Sequence, residues 1–446
     1  MRKKLVLLIC ACTMIMNGCG KGSAMNPSPA DVPAVQTESE VPGTPAQDDG
    51  VVSDAVAEKD DVQVEKEDVA EKEDVQAVQT DDFGKAEFFV DRVYEEVQGN
   101  VLVSPISLNI ALGLATEGAS GETAQELYRY LGREDYADWV AEYMEYVQNL
   151  KDEDGDKNGY RFHYMPSNSI WVKKDLNLQA DYQKMATEKF HAIAQNVDFM
   201  GDPDGTEKKI NSWCEEKTKG LIREMISKDD FDPNLMVILL NSVYFESPWI
   251  NKWRLTQHSF TDLSGNTAEK EMLEDDLDTY YENEYATAFS KNYYNGFQFI
   301  GILPKTEGDF QLGDLDLGSL LESETQDYKV KAIAPKMNYE TETKNVIEIL
   351  EAQGVHRAFH ENDAEFSNMI DDENCYINKI IQKCKIELDE KGTRAAASTA
   401  ITMKKGLIIS SEPAKEIKEV YLDRPFAFLI YDSENDQIVF AGKVVE

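Results

Sequence analysis

Histidine is scarce in this chain, and basic residues are heavily outnumbered by acidic ones. Five histidines occur in 446 residues: His163, His191, His258, His356 and His360. None stands in a His-Glu-x-x-His arrangement, so the commonest helical zinc-hydrolase pattern is absent. A Gly-x-Ser-x-Gly nucleophile elbow and a Gly-rich phosphate loop are missing too, and with them the local signatures of α/β-hydrolases and nucleotide-binding enzymes. His356 and His360 stand four apart with Glu361 beside them, a spacing that would share one helix face. Solvated surface histidines are the plainer reading, and neither metal nor cofactor is expected. Lys and Arg number 45 against 84 Asp and Glu, a formal net charge of −39. Phosphate backbones and anionic lipid heads repel such a surface, which argues against nucleic acid as a partner.

Cysteine is also sparse. Of six, Cys10, Cys12 and Cys19 belong to the leading segment, leaving Cys214, Cys375 and Cys384, without metal-ligand spacing. These three read as reduced, packed apolar residues; a Cys375–Cys384 bridge is the alternative. The apolar run from Leu5 to Met16 follows Arg2-Lys-Lys4 and is too short to span a membrane, so it reads as a secretory signal. It ends in Met16-Asn-Gly-Cys19, which resembles a bacterial lipoprotein cleavage box with Cys19 as the lipidated residue. Met16 and Asn17 stand where Leu and a small residue are commoner. Such a lipid gives an anchor and not a span, and simple secretion is the alternative.

Residues 20–82 lack aromatics and are poor in apolar side chains, and 31–82 carry seventeen acids against three lysines. Pro27, Pro29, Pro33, Pro42 and Pro45 come first, then Glu65-Lys-Glu-Asp68 repeats as Glu71-Lys-Glu-Asp74. That composition cannot bury enough surface to order itself and predicts a disordered acidic linker. As a coil its reach is about 40–45 Å.

From Phe83 the character changes. Ala86, Phe88, Phe89, Val93, Tyr94 and Val97 recur at helical spacing, and Ser107 to Thr116 reads as a buried helix opened by Ser-Pro. Val237-Ile-Leu-Leu240, Phe297–Leu303 and Phe426–Tyr431 read as fully buried strands. Helical patterns dominate the first half and strands the second, which predicts one large α+β domain over 83–446, after a signal at 1–19 and the linker at 20–82.

The most informative stretch runs from Glu387 to Met403. Beyond Gly392, Thr393, Ala395, Ala397, Thr399, Ile401 and Met403 alternate with Arg394, Ala396, Ser398, Ala400 and Thr402. The first set is small and then apolar, the second more polar. A strand pattern built from Ala and Ser is patterned for a sheet but holds it weakly. An ordinary weak edge strand would show the same pattern.

This hinge resembles the reactive-loop hinge of the serpins. Asn100-Val-Leu-Val-Ser-Pro-Ile-Ser107 with Gly118-Ala-Ser-Gly-Glu-Thr123 is similar to the family's N-terminal signature. Ile210-Asn-Ser-Trp213, Asn241-Ser-Val-Tyr-Phe245 with Trp249, Ala334-Pro-Lys-Met337 and Asp423-Arg-Pro-Phe-Ala-Phe428 follow in the family's order. The resemblance covers about Phe83 to Glu446. It implies a fold of three β-sheets with eight or nine helices and an exposed reactive-centre loop. It also implies a monomer that inhibits a serine or cysteine endopeptidase as a suicide substrate, becoming covalently attached while the cleaved loop enters the main sheet. The membrane would be met only through the anchor at Cys19.

By the same resemblance the hinge is Glu390, Gly392, Thr393, Ala395, Ala396, Ala397 and Thr399. Glu390 would hold the loop base by a salt bridge, Gly392 supply backbone freedom, and Thr393 turn under the sheet first. Ser104, Ser107, Asn241, Trp249 and Gln382 would form the polar and aromatic supports beneath the opening sheet. Gln382 stands where the family commonly has His, so a protonation switch there is in doubt. Glu246-Ser-Pro248 replaces Lys-Gly-Lys, and the segment from Gly406 to Pro425 is longer than usual. Counting from Glu390 in the family's spacing, the resemblance implies a scissile bond near Lys405-Gly406, with Leu407-Ile408 as the alternative. A non-inhibitory binding or chaperone-like member is the other functional reading. It usually carries charged or bulky inward hinge residues, which this chain lacks.

Overall fold

The computed structural model describes residues 82–150, 162–371, 375–393 and 415–446. Among these residues there are eight α-helices and three sheets, an α+β arrangement. The helices are α1 (Asp82–Val97), α2 (Pro105–Gly118), α3 (Gly121–Leu131), α4 (Tyr136–Asn149), α5 (Ala180–Phe190), α6 (Pro203–Lys217), α7 (Leu317–Glu322) and α8 (Val346–Ala352).

α2 is apolar on almost every side and is buried along nearly its whole length, as a helix passing through a core must be. Pro105 occupies its first turn, where the missing N–H costs nothing. Ser104 takes the extended N-cap conformation, yet its hydroxyl does not cap the helix. It donates instead to the Val439 carbonyl at 2.6 Å, a long-range tie in place of a local one.

The central sheet has the strand order β11-β12-β13-β4-β2-β3. Its members are β2 (His163–Lys173), β3 (Ile193–Val197), β4 (Val237–Pro248), β11 (Met337–Thr343), β12 (Lys379–Leu388) and β13 (Gly392–Thr393). All twelve residues of β4 are buried, as its apolar run predicts for a strand covered on both faces. α6 supplies the outer cover. Its Ile210, Trp213 and Cys214 pack with Trp171, Ile238, Leu240 and Ile381 in a core separate from the main one.

The second sheet runs β1-β16-β15-β9-β8-β7, from β1 (Val101–Val103), β7 (Tyr280–Glu282), β8 (Ala286–Asn292), β9 (Phe297–Pro304), β15 (Phe426–Asp432) and β16 (Gln437–Val444). The third runs β14-β10-β6-β5, from β5 (Arg254–Thr261), β6 (Thr267–Leu277), β10 (Lys329–Pro335) and β14 (Ile417–Tyr421). The three thiols are free and buried. Burial pushes the Cys214 thiol up to about 11, so it stays protonated and packs as a small apolar group.

The histidine spacing does not produce a shared helix face. A single 3₁₀ turn, Arg357–Phe359, lies between His356 and His360, and His360 Nε2 meets Glu351 at 2.9 Å. Among the described residues no group of His, Cys, Asp and Glu is placed to hold a metal.

Candidate functional site: the gap in the central sheet and the loop base

β12 and β4 behave as two strands that pair along half their length. Lys379–Lys383 pair in parallel with Ile238–Ser242. Beyond Lys383 and Ser242 no direct β12–β4 pairing continues, and at the far end the two-residue strand β13 stands between them. Thr393 pairs with Leu388 on one side and Ser247 on the other, while Gly392 pairs with Pro248. Between these ends, residues 384–387 and 243–246 face each other across a gap with no described strand between them.

The turn that carries the chain from β12 into β13 is locally determined. Asp389 Oδ1 accepts from the Lys391 and Gly392 N–H groups at 2.7 and 3.2 Å, and the Asp389 N–H donates to the Gly392 carbonyl at 2.9 Å. Gly392 is required there by close approach and not by an unusual backbone angle. A Cβ on it would lie 2.3 Å from the Ser247 carbonyl oxygen and 2.7 Å from Pro248 Cα. The folded state thus has a steric requirement for glycine at this position.

The chain leaving β4 holds this turn in place. The Trp249 N–H donates to the Lys391 carbonyl at 3.0 Å and the Trp253 N–H to the Glu390 carbonyl at 3.1 Å. Trp249 Nε1 donates to the Asp389 carbonyl at 2.9 Å. The Trp249 ring stacks on Tyr293 with centroids 3.9 Å apart and planes 15° apart. Tyr293 in turn shares a 2.6 Å hydrogen bond between its hydroxyl and Thr393 Oγ1. Thr393 is thus buried, paired on both backbone edges and hydrogen-bonded by its side chain.

Glu390 meets Lys336 at 3.3 Å and Lys391 at 3.8 Å, and Lys336 also meets Glu271 at 2.5 Å. Partial burial pushes the Glu390 carboxyl up. Its own backbone N–H and the two lysines outweigh that and hold it below the ordinary glutamate value. Beneath the tryptophans, the Lys291 ammonium lies 4.8 Å from the Trp253 ring centre and 2.5 Å from Asp275. Burial lowers the Lys291 pKa against the pull of Asp275.

A second polar cluster lies where the direct pairing of β12 and β4 ends. Asn241 Nδ2 donates to the Ser107 carbonyl at 2.9 Å, and lies 2.5 Å from both Ser107 Oγ and Asn168 Oδ1. Its Oδ1 accepts from Gln382 Nε2 at 2.6 Å. Gln382 is also bound both ways to the Ser104 backbone, accepting from its N–H at 2.9 Å and donating to its carbonyl at 3.0 Å. Every member is essentially fully buried. Ser104, Ser107, Asn241 and Gln382 therefore converge on one point, whereas Trp249 stands apart at the loop base.

Sequence reasoning missed Asn168, Tyr293, Lys336 and Asp389. Ser167-Asn-Ser169, a buried polar run within an otherwise apolar strand, was a readable signal for Asn168. Asp389, three before Gly392, carried a turn signal. Tyr293 carried none, since only the fold brings it to Thr393. Ala395, Ala396, Ala397, Thr399, Lys405, Gly406, Leu407 and Ile408 lie outside the described residues, as does Cys19.

The sheet is thus partly split, with Gly392 and Thr393 seated at its open end and a buried amide cluster where the direct pairing stops. The family profile described as Serpin (serine protease inhibitor) matches residues 84–446, and the chain belongs to that family. An uncharacterized serpin-like protein of Thermococcus kodakarensis is 32% identical over 370 residues, covering 80% of this chain and 84% of that protein. Iripin-3 of Ixodes ricinus is 29% identical, covering 77% and 88%. Among solved structures, the native state of the thermophilic serpin Tengpin matches with a TM-score of 0.69 at 27% identity, covering 86% of this chain and 96% of that one. Serpins are in general protease inhibitors and not enzymes.

Proposed function

We propose that this chain is an inhibitory serpin that traps a serine or cysteine endopeptidase as a covalent acyl-enzyme. The observation that carries the reading is the seat of Gly392 and Thr393 at the open end of the gap, aligned to continue downward between β12 and β4. The protease nucleophile attacks the scissile carbonyl, the peptide bond breaks, the C-terminal segment leaves as an amine, and the N-terminal part stays esterified to the enzyme. Fourteen inserted residues at about 3.3 Å each span roughly 45 Å, enough to carry an attached protease along the body. The inward hinge positions after Thr393 are Ala395, Ala397 and Thr399, none charged or bulky.

We place the scissile bond at Lys405-Gly406, where a trypsin-like pocket with a buried carboxylate would pair the ammonium. Leu407-Ile408 is the alternative for an apolar pocket. Incubation of the full chain with trypsin-like and elastase-like enzymes tests both points. The expected result is an SDS-stable complex with a released C-terminal peptide beginning at Gly406. A peptide beginning at Ile408, with trapping by the second class alone, moves the bond. Cleavage without trapping favours the non-inhibitory reading.

The same reading includes an acidic linker over 20–82 and lipidation of Cys19 at a bacterial cell surface. Cys19→Ala should release the protein from membranes and abolish incorporation of a labelled fatty acid. Equal membrane association of both forms would count against the anchor.

A further inference from the structure

Three successive residues at the end of β8 touch the chain that clasps the loop base. Lys291 sets its ammonium 4.8 Å from the Trp253 ring centre, and the Asn292 carbonyl accepts from the Ile250 N–H at 3.1 Å. Tyr293 then stacks on Trp249. Trp253 gives its own backbone N–H to the Glu390 carbonyl at 3.1 Å, so Lys291 stands one residue away from the hinge. Its side chain is 3% exposed, a costly place for an ammonium.

A buried indole usually fixes its orientation by donating its N–H to a partner. Trp253 is buried, and its Nε1 meets no acceptor among the described residues. Ring contacts hold it instead. Phe289 lies at 6.0 Å and 72°, Trp249 at 6.1 Å and 79°, and the Lys291 ammonium lies over the ring. An ammonium over an indole gains most where water is excluded, as it is here. Asp275 on β6 aims that ammonium from 2.5 Å, while its other oxygen lies 3.8 Å from the half-exposed Arg254. A buried ion pair adds little net stability, since apolar side chains of like size fill the same space. What an apolar pair cannot do is place a charge over the indole.

We infer that Lys291 is a positioning residue for inhibition. Its ammonium, aimed by Asp275, orients Trp253 so that the Trp253 N–H holds the Glu390 carbonyl and keeps Gly392 and Thr393 seated at the open end of the gap. The inference rests on the inhibitory reading, because the seat matters only if the loop enters there. Entry competes with hydrolysis of the acyl-enzyme. In that step water adds to the ester carbonyl, the protease nucleophile leaves with a proton, and the cleaved inhibitor keeps a free carboxylate. A loosened seat delays entry and sends more molecules down the hydrolytic route.

Variants of the full chain separate positioning from packing. Lys291→Met keeps the length and loses the charge, Lys291→Met with Asp275→Leu removes the whole pair, and Lys291→Arg keeps a cation. The readouts are the melting midpoint, amide exchange at Trp253, and the inhibitor consumed per protease trapped as an SDS-stable complex. Lys291→Met leaves Asp275 without its buried partner and should lower the midpoint. The charge-free double variant should regain the midpoint, yet exchange the Trp253 N–H and consume inhibitor roughly fivefold more, as expected for a cation–indole contact worth about 1 kcal/mol. Lys291→Arg should keep both readouts near wild type. Wild-type inhibitor consumption in the double variant, whatever its exchange, overturns the positioning role. Should that variant fold poorly, Trp253→Phe gives the same test, and wild-type consumption there overturns the role too. A wild-type chain that is cut without trapping any protease overturns the inhibitory reading. Exchange at Trp253, read without a protease, then still decides whether Lys291 positions the clasp.

Discussion

Thr393 is the last described residue before the loop, and its hydroxyl already rests against Tyr293 in the interior. A guanidinium in that position would be buried without a partner, at several kcal/mol. Thr393→Arg should therefore leave the loop cleavable but abolish trapping, converting an inhibitor into a substrate. A wild-type yield of SDS-stable complex from this variant would show that sheet entry does not begin at Thr393. Glu390 makes a pH-dependent contribution whose sign follows from its lowered pKa. A depressed carboxyl stabilises the folded state fully above its ordinary value of 4.5 and loses that contribution as pH falls through the lowered folded value. Proteolytic sensitivity of the loop base should accordingly be flat from about pH 8 to pH 5 and rise below it. Glu390→Gln should show no such acid step attributable to this site, and an unchanged acid profile would assign the step to other carboxylates.

Elements, and not single residues, decide how far the sheet is split. Asn241 on β4 and Gln382 on β12 are cross-strand partners, and their side chains bind each other and the start of α2. Asn241→Ala removes the donor to Ser107 and the acceptor for Gln382 in a fully buried site. It should cost about 1–3 kcal/mol in stability and promote polymers on warming. Unchanged melting with a monomeric sample after warming would mean that the cluster does not hold the strands. The α+β class, the buried strands β4, β9 and β15 and the helix after Ser104-Pro105 were legible because each carries a periodicity or an apolar run that physics reads locally. The hinge window was read in the same way, from small residues at alternate positions, and its part beyond Thr393 lies outside the described residues. The two-ended geometry of the gap was not, since it depends on Trp249, Tyr293 and Lys336, which meet the hinge through separate strands. Ser104 shows the limit within one residue. Its helix-capping position follows from sequence, but its hydroxyl bonds across the fold to Val439.

The whole molecule contains a body whose central sheet is complete at one end, occupied by two hinge residues at the other, and open in between among the described residues. Its formal charge of −39 gives it a field that attracts cationic partners and repels acidic surfaces. The proposed inhibition requires that this opening receive the loop. Amide hydrogen exchange on the full chain, before and after cleavage of the loop, reads this directly at residues 243–246 and 384–387. Each of these segments pairs on one edge only among the described residues, β4 with β2 and β12 with β11. Insertion must give their gap-facing N–H groups new partners. If the loop inserts, exchange at those segments slows sharply after cleavage while the direct pairing at Ile238–Ser242 yields to the entering strand. Unchanged exchange in both segments, in a protein whose loop is fully cut, would contradict it.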